Sequence, residues 1–272
     1  MAEENKKLFV SITGEWAMEK VKRAKHLIDE LRTEVADYFL ANPYKISTKK
    51  DPLNGRLIYY IQEIEDLPLE IKTITGDIIQ NLRSSLDHLA YSLFIKGGGL
   101  PKDSRHVYFP ITESEVKFND HDTQKKMAGL SQPAINIIIA ARPYKEGNRK
   151  LWQLHELNNI DKHRLRLTAG SSFGSVDISA HIIESLPPNM SSLKKFSMPS
   201  LFLKPADNLF PLKKGDVLFS DIPEAAPNPK MIFNIQLVLN EPGIAEGEVL
   251  VPFLEEITSE VEATLDNFKS LV

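Results

Sequence analysis

Residues Gly76–Phe94, GDIIQNLRSSLDHLAYSLF, decide how the rest of this chain is read. At about 100° per residue, Ile78, Leu82, Leu86, Leu89 and Leu93 gather on one side of a helix. Asp77, Asn81, Ser84, His88 and Ser92 gather on the other. Arg83 and Asp87 fall between the two stripes, one turn apart, where a guanidinium and a carboxylate can pair along a helix. One face is core. The opposite face offers an acid, an amide, a hydroxyl and an imidazole in a row.

Upstream of this helix, Trp16, Val21, Ala24, Leu27, Ile28, Leu31, Val35 and Phe39 keep the i, i+3/i+4 rhythm of a first long helix. Ser11 or Thr13 can cap it, and Pro43 ends it, because a residue before proline avoids the helical region. Lys20, Lys22, Arg23, Lys25 and Arg32 read as its solvated face. Residues 44–64 change period. Asp51-Pro-Leu-Asn54-Gly55 is a turn signal between two β-branched and aromatic runs, which predicts a β-hairpin. Gly97-Gly98-Gly99 stops the central helix; with no Lys-Ser/Thr after it, this is not a phosphate-binding P-loop.

Downstream, Tyr108–Ile111 reads as an anchored extended segment and 122–127 as a short helix. Pro133 opens a further helix that ends before Arg142-Pro143. Asn148–Leu167 is apolar nearly all round yet carries His155, Asn158, Asn159, Asp161, Lys162, His163 and Arg164. Polar groups on a mostly buried helix need partners, or desolvation costs about 1–3 kcal/mol each. After Gly170 the texture is β, with strands expected at Val176–Glu184, Leu201–Leu203, Asp216–Ser220 and Lys230–Asn240. Val251-Pro252 opens a last helix through Phe268. Trp16 and Trp152 read as core. The expected fold is α+β and a single domain over 1–272. A helical bundle from 11–42, 72–96, 131–167 and 252–271 is interrupted by β segments at 44–64 and 170–251.

Composition narrows the function. A net charge of −4 argues against a protein built to coat nucleic acid, although 33 Lys+Arg can still cluster locally. Zero cysteines removes disulfides, thiolate metal sites and a cysteine nucleophile. The first residues lack the apolar core of a signal peptide, and the apolar run at Ile135–Ala141 is too short to span a bilayer. A cytoplasmic protein is expected. No His-x3-His or Glu-x-x-His pair appears among the helical histidines, and no nucleophile-elbow or dinucleotide fingerprint is present.

Arg83-Ser-Ser-Leu-Asp-His88 is an Arg-x4-His spacing, and Arg149-x5-His155 is a second match of that type. On the first of these the sequence resembles the HEPN superfamily of helical-bundle proteins, whose nuclease members carry Arg-x4–6-His on a helix. It also resembles a group of uncharacterised bacterial proteins that pair an NLRSxLDHL helix with a DKHR helix, here Asn81–Leu89 and Asp161–Arg164. The resemblance implies metal-independent RNA cleavage with no cofactor, at a site assembled across a homodimer. It further implies a toxin or phage-defence role, with an antitoxin or defence partner protein. Nuclease members often carry Asn, Asp or His after the Arg, where this chain has Ser84.

The chemistry is coherent. A near-neutral base takes the 2′-OH proton, which suits His88, and a fixed cation stabilises the phosphorane charge, which suits Arg83. The two lie about 140° apart on the helix, so a facing copy across a two-fold axis would help close the site. Asn81, Asp87, Asp161, Lys162, His163 and Arg164 are the candidate RNA-binding residues. The last three equally suit the C-terminal end of a helix dipole. The alternative is a non-catalytic nucleotide- or protein-binding module on the same fold.

Overall fold

The computed structural model describes residues 2–164, 167–179, 182, 202–203 and 210–272, with side chains from residue 15 onward, those of His163 and Arg164 excepted. The architecture is α+β. Helix α1 (Ala2–Leu40) leads into the hairpin β1 (Tyr44–Lys50) and β2 (Arg56–Ile64), and α2 (Leu69–Lys96) follows. A 3-10 turn at Pro101–His106 and short helices α3 (Glu115–Phe118) and α4 (His121–Lys126) precede α5 (Gln132–Ala141) and α6 (Arg149–Arg164). Then come β3 (Ala169–Asp177), β4 (Phe202–Leu203), β5 (Val217–Pro223), β6 (Ile232–Glu241), β7 (Ala245–Val249) and helix α7 (Leu250–Asp266).

Helix α2 is the centre of the bundle and packs against α1, α6 and α7. Its apolar stripe, Ile78, Leu82, Leu86, Leu89 and Leu93, is buried as the periodicity predicts. Facing it are Val21, Ala24, Ile28 and Leu31 of α1, Leu154 and Leu157 of α6, and Leu254, Ile257 and Val261 of α7. Burial at about 25 cal/mol per Å² of apolar surface makes this cluster the main source of stability. Two residues depart from the expected faces. Ser92 is fully buried rather than part of the polar row, and Trp16 is 54% exposed rather than core. Trp152 is core, at 4% exposure.

The strands form two antiparallel sheets, in orders β1-β2-β5 and β4-β3-β6-β7. The hairpin lies between α1 and α2 in sequence, and a strand of the later β segment joins its sheet. Strand β5 pairs with β2 in the register Ile58↔Ser220 and Tyr59↔Phe219, so a late segment completes an early sheet. Leu57, Tyr59 and Ile61 of one sheet share a second core with Phe173 and Val176 of the other. Strand β3 covers Ala169–Asp177, beginning earlier than the expected Val176, and residues 180–181 and 183–184 of that expected strand lie outside the described residues. Strand β7, AEGEV, has no alternating apolar pattern to announce it. Among the described residues no helix is long and apolar enough to cross a membrane.

Candidate functional site

The polar side of α2 is the floor of a strip between α1 and α6. Asn81, Ser84, Asp87, His88 and Tyr91 are half-buried there, with Asp77 exposed. On the α1 flank, Lys20 donates to Asn81 Oδ1 at 3.3 Å, and Asn81 donates to the Asp77 carbonyl at 2.7 Å. Lys20 is thus drawn out of the solvated face that its neighbours form. His88 lies on this flank as well. Burial, then the charge of Lys20, lowers its pKa, and Asp87 opposes the shift. The imidazole is neutral at pH 7.

Arg83 faces the other way. It is only 6% exposed. Its Nη1 lies 2.8 Å from Asp87 Oδ1, and its Nη2 donates to the Phe109 carbonyl at 3.0 Å. The Phe109 N–H in turn donates to Asp87 Oδ1 at 3.1 Å. The anchored segment read at Tyr108–Ile111 is held by these contacts, with Phe109 and Ile111 buried and Tyr108 exposed. Burial lowers the Arg83 pKa while Asp87 raises it, and arginine's high intrinsic value keeps the group charged. The predicted pairing of Arg83 with Asp87 is present. Arg83 and His88 diverge within one chain, as their angular separation requires.

The α6 flank carries His155, the histidine of the second spacing, Arg-x5-His. His155 lies within the field of Arg83, and its Nε2 is 3.3 Å from the Asn159 amide nitrogen. Burial, then Arg83, Lys126 and Lys162, push its pKa down to about 3. Its signal in the sequence was an imidazole on a helix too apolar to be a surface helix. Beside it, Asn158 is 3% exposed and its Oδ1 has no hydrogen-bond partner among the described residues.

At the end of the strip, Asp161 approaches α2 where Gly76 leaves room for it. A Cβ on Gly76 would sit 2.8 Å from Asp161 Oδ1. Burial, then the like charge of Asp77, raises the Asp161 pKa, and Lys162 opposes this. Gly76, Asp77 and Asp161, together with Asp66, Leu67, Lys72 and Thr73, line a cavity of about 640 Å³. Lys162 is exposed, and the side chains of His163 and Arg164 lie outside the described residues. The expected RNA-binding group is therefore distributed. Asn81 sits beside Lys20, Asp87 is tied to Arg83, and Asp161 is paired in space with another carboxylate. Among the described residues no three His, Asp or Glu side chains gather as a metal site.

Comparison with known proteins returned no match: no family model, no curated protein and no solved structure corresponds to this chain.

Proposed function

We propose that this protein is a non-catalytic nucleotide-binding module with a HEPN-like bundle, and that the α2 strip is its binding face. One observation carries the choice. Arg83, the cation that an Arg-x4-His ribonuclease directs at phosphate, is buried and engaged by Asp87 and the Phe109 carbonyl. Moving it to a substrate would cost the Phe109 carbonyl its side-chain donor and Asp87 its cation. What remains on the strip is an amide, a hydroxyl and a neutral imidazole at Asn81, Ser84 and His88, with Lys20 at its edge. Such groups suit recognition of base and ribose, with a single cation for phosphate.

A second reading keeps the endoribonuclease, with the toxin or phage-defence role that the resemblance implies. It is favoured by His88, which is half-exposed and held neutral beside Lys20 as a general base requires.

The test incubates RNA with the purified full chain in EDTA, as wild type, Arg83→Ala and His88→Ala. ATP and GTP are titrated in parallel by calorimetry. The expected result is no cleavage, with nucleotide binding that Asn81→Ala and His88→Ala each weaken about tenfold, or about 1.4 kcal/mol. Cleavage that leaves a 2′,3′-cyclic phosphate and vanishes in both variants would return the chain to the endoribonuclease. Absence of both cleavage and nucleotide binding would leave a protein-binding module.

A further inference from the structure

Trp16 stands 54% exposed on α1, and the contacts of its own helix fix which flank it occupies. Lys25 and Arg32 of α1 pair with Glu262 and Glu255 of α7, so α7 covers one flank of α1. At about 100° per residue, Trp16 lies about 180° from Lys25 and only about 40° from Lys20. Lys20 donates to Asn81 on the polar side of α2. The indole is therefore on the flank that borders the α2 strip, away from α7.

Its height along the strip follows from the run of the two helices. Tyr38 donates to the Glu65 carbonyl just ahead of α2, and Lys20 to Asn81 further along it, so α1 and α2 are antiparallel. One turn back from Lys20, Trp16 stands level with the turns of α2 that follow Asn81, where Ser84 and His88 are half-buried. Helical side chains lean toward the N-terminus of their helix, which carries the indole further toward His88 and Tyr91. The charge of Lys20 reaches His88, as this placement requires. The strip thus has an aromatic end at Trp16, His88 and Tyr91 and a polar, cationic stretch at Asn81 and Lys20. Among the described residues no other ring and no cation is seated on the Trp16 indole.

We infer that Trp16 is the base-stacking platform of the α2 strip, and that its ligand is a purine nucleotide whose base lies on the indole beside His88 while ribose and phosphate lie toward Asn81 and Lys20. This rests on the strip being a nucleotide-binding face. Charge sets the direction. On its outer side the indole borders a hollow lined by Glu15, Glu19 and Lys22, where Lys22 is already paired with Glu19. A phosphate-bearing ligand is repelled there and drawn to the Lys20 side. Stacking tolerates any base, because every base has a π-face, and is worth about tenfold in affinity per base. A fused purine overlaps an indole more fully than a pyrimidine does.

The test uses the full chain, in which the second indole, Trp152, is buried and shielded from added ligand. ATP, GTP and UTP are titrated against tryptophan fluorescence at constant ionic strength and by calorimetry, with tripolyphosphate as the control that lacks a base. Saturable quenching is expected with ATP and GTP, less with UTP and none with tripolyphosphate. Trp16→Phe should abolish the quenching and keep most of the affinity, since a phenyl ring still stacks. Trp16→Ala should weaken ATP binding about tenfold, with the thermal midpoint unchanged, as an exposed position allows. ATP binding that Asn81→Ala weakens and Trp16→Ala leaves unaltered overturns the stacking role and leaves the strip a nucleotide site. Quenching by tripolyphosphate equal to that by ATP overturns it as well. No nucleotide binding by the wild type overturns both the stacking role and the strip as a nucleotide face.

Discussion

Arg83 and Asp87, one turn apart on α2, grip the two backbone polar groups of a single residue, Phe109. The guanidinium donates to its carbonyl and the carboxylate accepts from its N–H. The pair thereby ties the central helix to a segment that belongs to no helix or sheet.

Removing Arg83 costs the Phe109 carbonyl its side-chain donor and the half-buried Asp87 its cation. Arg83→Ala is therefore expected to destabilise the fold by about 2 kcal/mol, although Asp87 keeps the Phe109 N–H. Arg83→Lys should not restore this, because one ammonium cannot reproduce the two-directional fork. Asp87→Asn keeps an acceptor and should cost about 1 kcal/mol. Urea unfolding of the three variants checks the order. An Arg83→Ala variant as stable as wild type would contradict the structural role.

Gly76 and Asp161 make a close approach whose energetics are separable. In a free helix, Gly→Ala stabilises by about 1 kcal/mol. Here the new methyl meets the Asp161 carboxylate, which must swing aside. Gly76→Ala is therefore expected to be about neutral in the wild type and stabilising by about 1 kcal/mol in an Asp161→Ala background. A double-mutant cycle by thermal unfolding measures the coupling, and additive effects would remove it.

His155 makes stability depend on pH. Its folded pKa, pushed down to about 3, lies below the unfolded value near 6.5. Between these values the unfolded chain binds the extra proton, so stability falls as pH falls through that window and is fully present above it. The difference in unfolding free energy between wild type and His155→Gln should shrink steadily from pH 6.5 toward pH 4. A difference that stays constant with pH would show that the imidazole titrates normally.

Gly55 holds φ +70° in the hairpin turn, where its N–H donates to the Asp51 carbonyl at 2.9 Å. Gly55→Ala should cost about 1 kcal/mol and Gly55→Asn less, since Asn tolerates left-handed backbone. Chemical denaturation of both variants gives the comparison.

The α2 stripe was legible because burial follows helical period closely when a helix is central. Arg83 was not. A residue between two stripes is solvated or buried according to what packs beside it, and here that is Phe109, 26 residues later in the chain. Trp16 shows the converse. It continues an apolar rhythm on α1, yet it sits 54% exposed. Lys20 is one of several lysines with the same local pattern, and only the approach of α2 separates it from them. The pairing of β5 with β2 leaves no local trace either, because each strand satisfies the same alternation whichever neighbour it takes.

That pairing also sets an order of events. Arg56 meets Pro223, so a strand made early waits for nearly the whole chain before its second edge is covered. During synthesis β2 emerges with one side joined to β1 and the other open, a backbone edge of the kind that recruits foreign strands. A ribosome stalled before Val217 would release a polypeptide with its bundle helices largely made and its first sheet unfinished. Loop closure over such a span is slow, so this edge stays open for as long as the late strand is missing.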